Sequence, residues 1–210
     1  MKLWHCSSSR SIRPLWTMEE MGLEYELVCM KFPPRFLHPG YTDINPIGTV
    51  PFFTDGFVEM TESSGISQYL VDRYGPTSLS VRPDERDYGL YLNWLHRSDA
   101  TLTFPQTLVL RYSQLEPEER RHKQVVQDYS QWFYSRLRSL ESMVSKREFL
   151  CSDRFTIADI SVGFALLMAE TLGLHEGFKQ HTSAYYARLK IRPAYIKACS
   201  LWEGSVFGQN

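Results

Sequence analysis

The chain has 210 residues, enough for one large domain or two modest ones with a sizeable core, and its 43% hydrophobic and 14% aromatic content excludes a disordered chain. A formal net charge of -1 leaves no cation excess for a nucleic-acid backbone, and the basic run Arg120-Arg121-His122-Lys123 is offset by Glu116, Glu118 and Glu119 just before it. No apolar stretch reaches the roughly 18 residues of a membrane span, and Cys6, Cys29, Cys151 and Cys199 lack paired spacing, which points to reduced thiols in a cytoplasmic protein without a zinc or other metal site.

The first third alternates strand and helix. Met1-Lys2-Leu3-Trp4-His5 enters a strand over Leu3 to Cys6 and lacks the long apolar segment of a signal peptide. The turn Cys6-Ser7-Ser8-Ser9-Arg10-Ser11 leads into a helix whose stripe begins with Ile12, Leu15 and Trp16. Pro14 requires that helix to begin near Ser11, because proline is tolerated only in the first turn. Gly22 closes it in the left-handed conformation. Tyr25 to Met30 reads as a second strand, and Phe52-Phe53 with Phe57-Val58 as a hairpin around Asp55-Gly56. A helix from Ile66 to Arg73 follows, and Gly75-Pro76-Thr77-Ser78 with Pro83 marks a linker over 75–83. The expected fold is thus α/β plus all-α: a thioredoxin-like β-α-β-α-β-β-α domain over 1–76, then an all-helical domain over 84–210.

In that second domain a long helix is expected from Asp84 to Tyr112, kinked at Pro105. Glu116-Pro117-Glu118-Glu119 reads as the start of the next, with a stripe of Val125, Tyr129, Trp132, Phe133, Leu137, Leu140 and Val144 that packing alone explains. Thr156 to Asp159 is a capping box, with Phe155 and Ile160 as its apolar staple, and is a folding feature.

Two stretches carry chemistry. In Asn45-Pro46-Ile47-Gly48-Thr49-Val50-Pro51 a Val-Pro pair enters an apolar strand, where proline is unusual, and a cis bond there turns the amide and carbonyl of Val50 outward to meet an extended peptide. Eleven residues on, Glu62-Ser63 stands where strand gives way to helix, and a helix N-terminus suits a carboxylate. The pair describes a receptor for a short peptide with a carboxylate, Glu62 taking its amine.

These stretches, with Ile66-Ser67-Gln68-Tyr69-Leu70 and Phe155-Thr156-Ile157-Ala158-Asp159-Ile160, resemble the glutathione transferase superfamily, its theta-like bacterial and fungal members in particular, over nearly the whole chain. The resemblance implies a cytoplasmic homodimer of detoxifying type with glutathione as co-substrate and a small hydrophobic electrophile or a peroxide as partner. It implies that Val50 pairs with the cysteinyl part of glutathione, that Pro51 is cis, and that Glu62 and Ser63 hold the γ-glutamyl end. Thr49 stands where many members carry lysine, so His38 or Lys31 is expected at the glycyl carboxylate.

Thiol activation falls to the turn after the first strand, and three readings stay open. Ser7 or Ser9 donates to the thiolate; Cys6 forms a mixed disulfide and exchanges thiols; or the serines only cap the helix and its amides hold the anion. Arg10 adds positive field. Trp94-Leu95-His96 resembles a run in theta-like relatives, and His96, Phe104 and Tyr112 are the expected pocket for the second substrate, against the long helix between the domains. A binding protein that keeps the fold without thiol activation is the remaining alternative, since function lives in the site.

Overall fold

The computed structural model describes residues 1–201; the last stretch of the expected helical domain, 202–210, lies outside them. The chain divides into two compact units, Met1–Thr77 with the segment from Ile191 onward, and Ser78–Lys190.

The first unit begins with β1 (Lys2–His5), α1 (Ile12–Met21) and β2 (Glu26–Cys29), continues through the short helices α2 (Pro34–Leu37) and α3 (Tyr41–Ile44), and ends with β3 (Phe52–Asp55), β4 (Val58–Met60) and α4 (Ser63–Arg73). The sheet order is β2-β1-β3-β4. β1 and β2 are parallel with Lys2 opposite Glu26, while β1–β3 and β3–β4 are antiparallel with Leu3 opposite Phe53 and Phe53 opposite Met60. Parallel neighbours need a crossover, which α1 supplies, and the antiparallel pair needs only the tight turn at Gly56, where φ is 61°.

Side chains alternate across the sheet. On one face Leu3 and Phe53 are fully buried, and Phe53 meets Tyr69 of α4 at 6.0 Å between ring centroids. On the other, Trp4 and Phe52 (5.0 Å) pack with Cys6, Met30, Tyr41 and Val50. α1 starts at Ile12 with Pro14 in its first turn, and Gly22, at φ 63°, ends it with N–H bonds from Gly22 to Glu19 O and from Leu23 to Met18 O.

A tenth helix, α10, belongs to this unit; its place in order follows α5 (Tyr88–Arg97), α6 (Phe104–Leu110), α7 (Lys123–Val144), α8 (Ile157–Thr171) and α9 (Gln180–Lys190) of the second. α10 (Pro193–Ser200) lies on α1. The Tyr195 ring meets Trp16 edge-on at 4.8 Å, Arg192 grips Glu20 at 2.6 and 2.8 Å, and Lys197 pairs with Glu19 at 2.7 Å.

The second unit departs from the expected helices in two places. The Asp84–Tyr112 helix begins only at Tyr88, and its irregularities are two π-helical stretches, Ser98–Thr103 and Arg111–Leu115, on either side of α6. Pro105 falls in the first turn of α6, where a missing amide costs little. Glu118–Arg120 forms only a 3-10 turn, and α7 begins at Lys123 because Arg121 and His122 are extended. Glu116 accounts for the interruption: its carboxylate binds Arg111 (2.7 Å) and Arg120 (3.2 Å), and its carbonyl accepts from Arg121 (3.1 Å).

α8 is buried on nearly every side and is the axis of this unit. The capping box at its start forms as expected. The Asp159 carboxylate accepts from the Thr156 amide (2.9 Å), the Leu150 amide (3.0 Å) and Tyr185 Oη (2.9 Å), tying the loop before α8 and helix α9 to one buried group. The segment leading into α5 is held to the same end: Arg154 reaches the Ser78 and Ser80 carbonyls and Glu85, and Leu79 O accepts from Ile157 N (2.9 Å).

Asp159→Ala leaves buried donors without an acceptor and destabilises the protein by about 3 kcal/mol in denaturant titration. Burial raises the Asp159 carboxyl from 3.8 to about 6, so the unfolded chain releases this proton first; the native state loses that share of its stability as pH rises through the interval, and Asp159→Asn removes the slope. Arg192→Ala weakens the attachment of α10 by about 1 kcal/mol, read as faster amide exchange over 193–200 with unchanged protection in β1 and β3.

Candidate functional site

The site of the first unit is built where β1 ends. His5 closes the strand, buried, with Nδ1 at 2.8 Å from Ser11 Oγ. Ser11 Oγ lies 2.7 Å from Ser9 Oγ, Ser9 Oγ donates to Cys6 O (2.8 Å), and the Cys6 amide donates to Ser11 Oγ (3.3 Å). Burial pushes the His5 imidazole down to about 4, so it is neutral near pH 7. A consistent proton order runs from His5 Nδ1–H to Ser11, from Ser11 to Ser9, and from Ser9 to the Cys6 carbonyl. In that order both serine protons point into the protein.

The three candidates of the turn therefore differ in environment. Cys6 is fully buried among Trp4, Met30, Tyr41, Val50 and Phe52, and burial, with a further push from Cys29, raises its thiol to about 12. Since the thiolate is the reactive form, this environment disfavours chemistry at Cys6. Ser9 is engaged inward. Ser7 is half-buried, and neither its hydroxyl nor that of Ser8, which sits at φ 54°, makes a hydrogen bond among the described residues. Arg10, beside them, is half-buried at the head of α1.

The Asn45–Pro51 segment is fixed from within. Asn45 Oδ1 accepts from the Ile47 amide (3.2 Å), and the Gly48 amide donates to Asn45 O (2.8 Å). Gly48 holds φ 66°, and a Cβ there would stand 2.8 Å from Arg35 Cβ, so only glycine fits. The Thr49 carbonyl accepts from Tyr41 Oη (2.6 Å) and Asn45 Nδ2 (2.9 Å). Val50–Pro51 is cis, as the resemblance implies. The Val50 side chain is buried while its backbone makes no hydrogen bond among the described residues. His38 Nε2 accepts from the Lys31 amide (2.8 Å), which leaves Nδ1 as the donor of that ring.

α4 begins at Ser63, one turn earlier than the apolar stripe suggests, so Glu62 is its cap residue and the amides of Ser63, Ser64 and Gly65 stand in its first turn. Glu62 is exposed, and its carboxylate forms no ion pair among the described residues. Ser63 is buried, and its Oγ accepts from Arg13 Nη1 (2.9 Å), a guanidinium fully buried in α1. Ser64 Oγ is buried without a partner among the described residues.

The structure thus brings Val50, Pro51, Glu62 and Ser63, with Ser7, Ser9, Cys6, Arg10 and His38, into one unit. His96, Phe104 and Tyr112 belong to the other: His96 and Phe104 are exposed, Phe104 at 53%, and Tyr112 is half-buried. Sequence reasoning named Ser11 and Asn45 only as members of their motifs, and gave no role to His5, Arg13 or Tyr41. Arg13 alone carried a signal, as a charged residue inside an apolar helical stripe with Thr17 four positions on. Among the described residues no cluster of three metal-ligating side chains occurs, and no helix is long and apolar enough to cross a membrane.

The family model for the glutathione S-transferase N-terminal domain matches residues 1–72, and that for the C-terminal domain matches residues 103–193. Glutathione S-transferase 3 of Schizosaccharomyces pombe is 28% identical over 202 residues, covering 91% of this chain and 84% of that protein. The glutathione transferase URE2P6 of Phanerochaete chrysosporium, solved with oxidized glutathione, superposes with a TM-score of 0.82 at 28% identity, over 95% of this chain and 94% of that one. A sphingomonad glutathione S-transferase complexed with glutathione reaches a TM-score of 0.83 at 21% identity, over 95% and 98%. With both halves matched in order, the chain belongs to the glutathione transferase superfamily of enzymes.

Proposed function

We propose that this protein binds glutathione on its first unit and ionises the thiol for attack on a hydrophobic electrophile or a peroxide. The observation that carries the reading is a Val50 backbone without hydrogen bonds among the described residues, in the same unit as the α4 head at Glu62 and Ser63. An extended peptide adds to the Val50 edge through main-chain hydrogen bonds. Its γ-glutamyl carboxylate is met by the first amides of α4 and the Ser63 hydroxyl, and its ammonium by the exposed Glu62 carboxylate. His38 Nδ1 is the donor assigned to the glycyl carboxylate in place of lysine at Thr49.

Ser7 is the thiol activator in this reading. Its hydroxyl has no competing partner among the described residues, whereas the Ser9 proton is engaged and Cys6 is held as a buried thiol. A hydroxyl donating to the sulfur, together with the positive end of α1, favours thiolate over thiol. The thiol proton leaves to solvent; the sulfur then bonds to the electrophilic carbon and the leaving group departs with its electron pair. The helical unit supplies the second-substrate surface, with Phe104 as its exposed apolar contact and His96 and Tyr112 as polar ones. A cytoplasmic homodimer is part of the same reading.

Titration of bound glutathione, followed by thiolate absorbance, tests this. The wild type lowers the thiol pKa well below the free value of about 8.5, and Ser7→Ala returns it toward that value. Conjugation of an aryl halide below that pH falls by about 100-fold in Ser7→Ala. The loss shrinks at higher pH, where the thiolate forms unaided. Cys6→Ala keeps the lowered pKa. Loss of activity in Cys6→Ala with Ser7→Ala intact identifies thiol–disulfide exchange instead, and binding with an unshifted thiol identifies a binding protein.

A further inference from the structure

We propose that Arg13 is a positioning residue for the ligand carboxylate, acting through the Ser63 hydroxyl; the inference rests on the glutathione reading above. Arg13 lies in the first turn of α1 with its side chain fully buried, and its Nη1 stands 2.9 Å from the oxygen of Ser63, the first residue of the 11-residue helix α4. The approach of the two helices is braced one turn further along. Thr17 Oγ1 lies 2.9 Å from Arg13 O and 3.0 Å from Ser67 Oγ.

The chemistry of this contact is directional. A serine hydroxyl carries one proton and two lone pairs, whereas a guanidinium only donates and stays charged at any working pH. Arg13 therefore occupies a lone pair of Ser63 Oγ, and the Ser63 proton must go to another acceptor. A carboxylate is an acceptor only, so Ser63 is preset as a donor toward it. Ser64 Oγ, buried and without a partner among the described residues, is a second hydroxyl in the same turn. The predicted specificity follows: Arg13, through Ser63, sets the affinity for the α-carboxylate of the γ-glutamyl group and not for the rest of the peptide.

The test compares glutathione with γ-aminobutyryl-cysteinyl-glycine, which keeps the amine and thiol and lacks only that carboxylate, by calorimetry on the wild type and on Arg13→Met, Ser63→Ala and the double variant. Arg13→Met weakens glutathione binding by about tenfold and leaves the analogue within about twofold, magnitudes expected for one charge-assisted hydrogen bond. In the Ser63→Ala background the same substitution changes the preference between the ligands no further. Arg13→Gln, which keeps a donor but not the charge, carries the comparison if Arg13→Met does not fold. Equal weakening of both ligands, or an undiminished effect of Arg13→Met in Ser63→Ala, overturns the positioning role while the glutathione reading stands. Failure of the wild type to bind glutathione overturns that reading and this inference with it.

Discussion

The carbonyl of Thr49 is the fixed point of the first unit. Tyr41 Oη and Asn45 Nδ2 both donate to it, at 2.6 and 2.9 Å, and Tyr41 is itself packed with Trp4, Phe52 and Val50 on one face of the sheet. A carbonyl with both lone pairs occupied has little freedom to rotate, and the next peptide, the one that presents the Val50 amide, is set with it. Gly48 makes this possible, because its left-handed backbone lets the Asn45 side chain close the turn without a Cβ striking Arg35. The local sequence of the motif, the packing of the sheet and the open strand edge are therefore parts of one arrangement.

The strand period then divides the work at the end of β1. His5 and Cys6 are neighbours in sequence and point to opposite faces. Cys6 joins the apolar cluster, where burial holds its thiol protonated, and His5 turns toward the start of α1, where it anchors a chain of hydroxyls through Ser11 and Ser9. Both residues are buried. In the turn beyond them, Ser7 and Ser8 carry the hydroxyls without a hydrogen-bond partner among the described residues.

What was legible in the chain was local. Gly22 as a helix end, Pro14 in a first turn, the Asp55-Gly56 hairpin and the Thr156–Asp159 box each depend on a few adjacent residues, and each stands as expected. The π-helical stretches beside α6 and the delayed start of α7 were not legible, since they depend on tertiary packing and on Glu116 gathering Arg111, Arg120 and Arg121. The attachment of α10 to α1 rests on pairs some 172 residues apart, such as Glu20 with Arg192, for which no motif speaks. Among Ser7, Ser9 and Cys6 the spacing was silent for a simpler reason: which hydroxyl is free depends on where protons go, and that is decided by partners outside the turn.

Helix heads alone do not make a selective receptor. A macrodipole supplies a field, but any anion feels it, and it is screened within about one Debye length of solvent. Direction comes from side chains whose own hydrogen bonds are already committed on one side. Ser63, with a lone pair held by Arg13, is such a group at the head of α4; the Asn45–Thr49 contact acts likewise on the strand edge. Arg13 belongs to α1, so the helix that opens beyond the Ser7 turn also carries the residue that orients the head of α4. A shift of α1 along its axis would alter both places together. Packing Trp16 against Tyr195 and tying Glu20 to Arg192 resist that shift, which gives α10 a role in the geometry of the site although none of its own residues enters it.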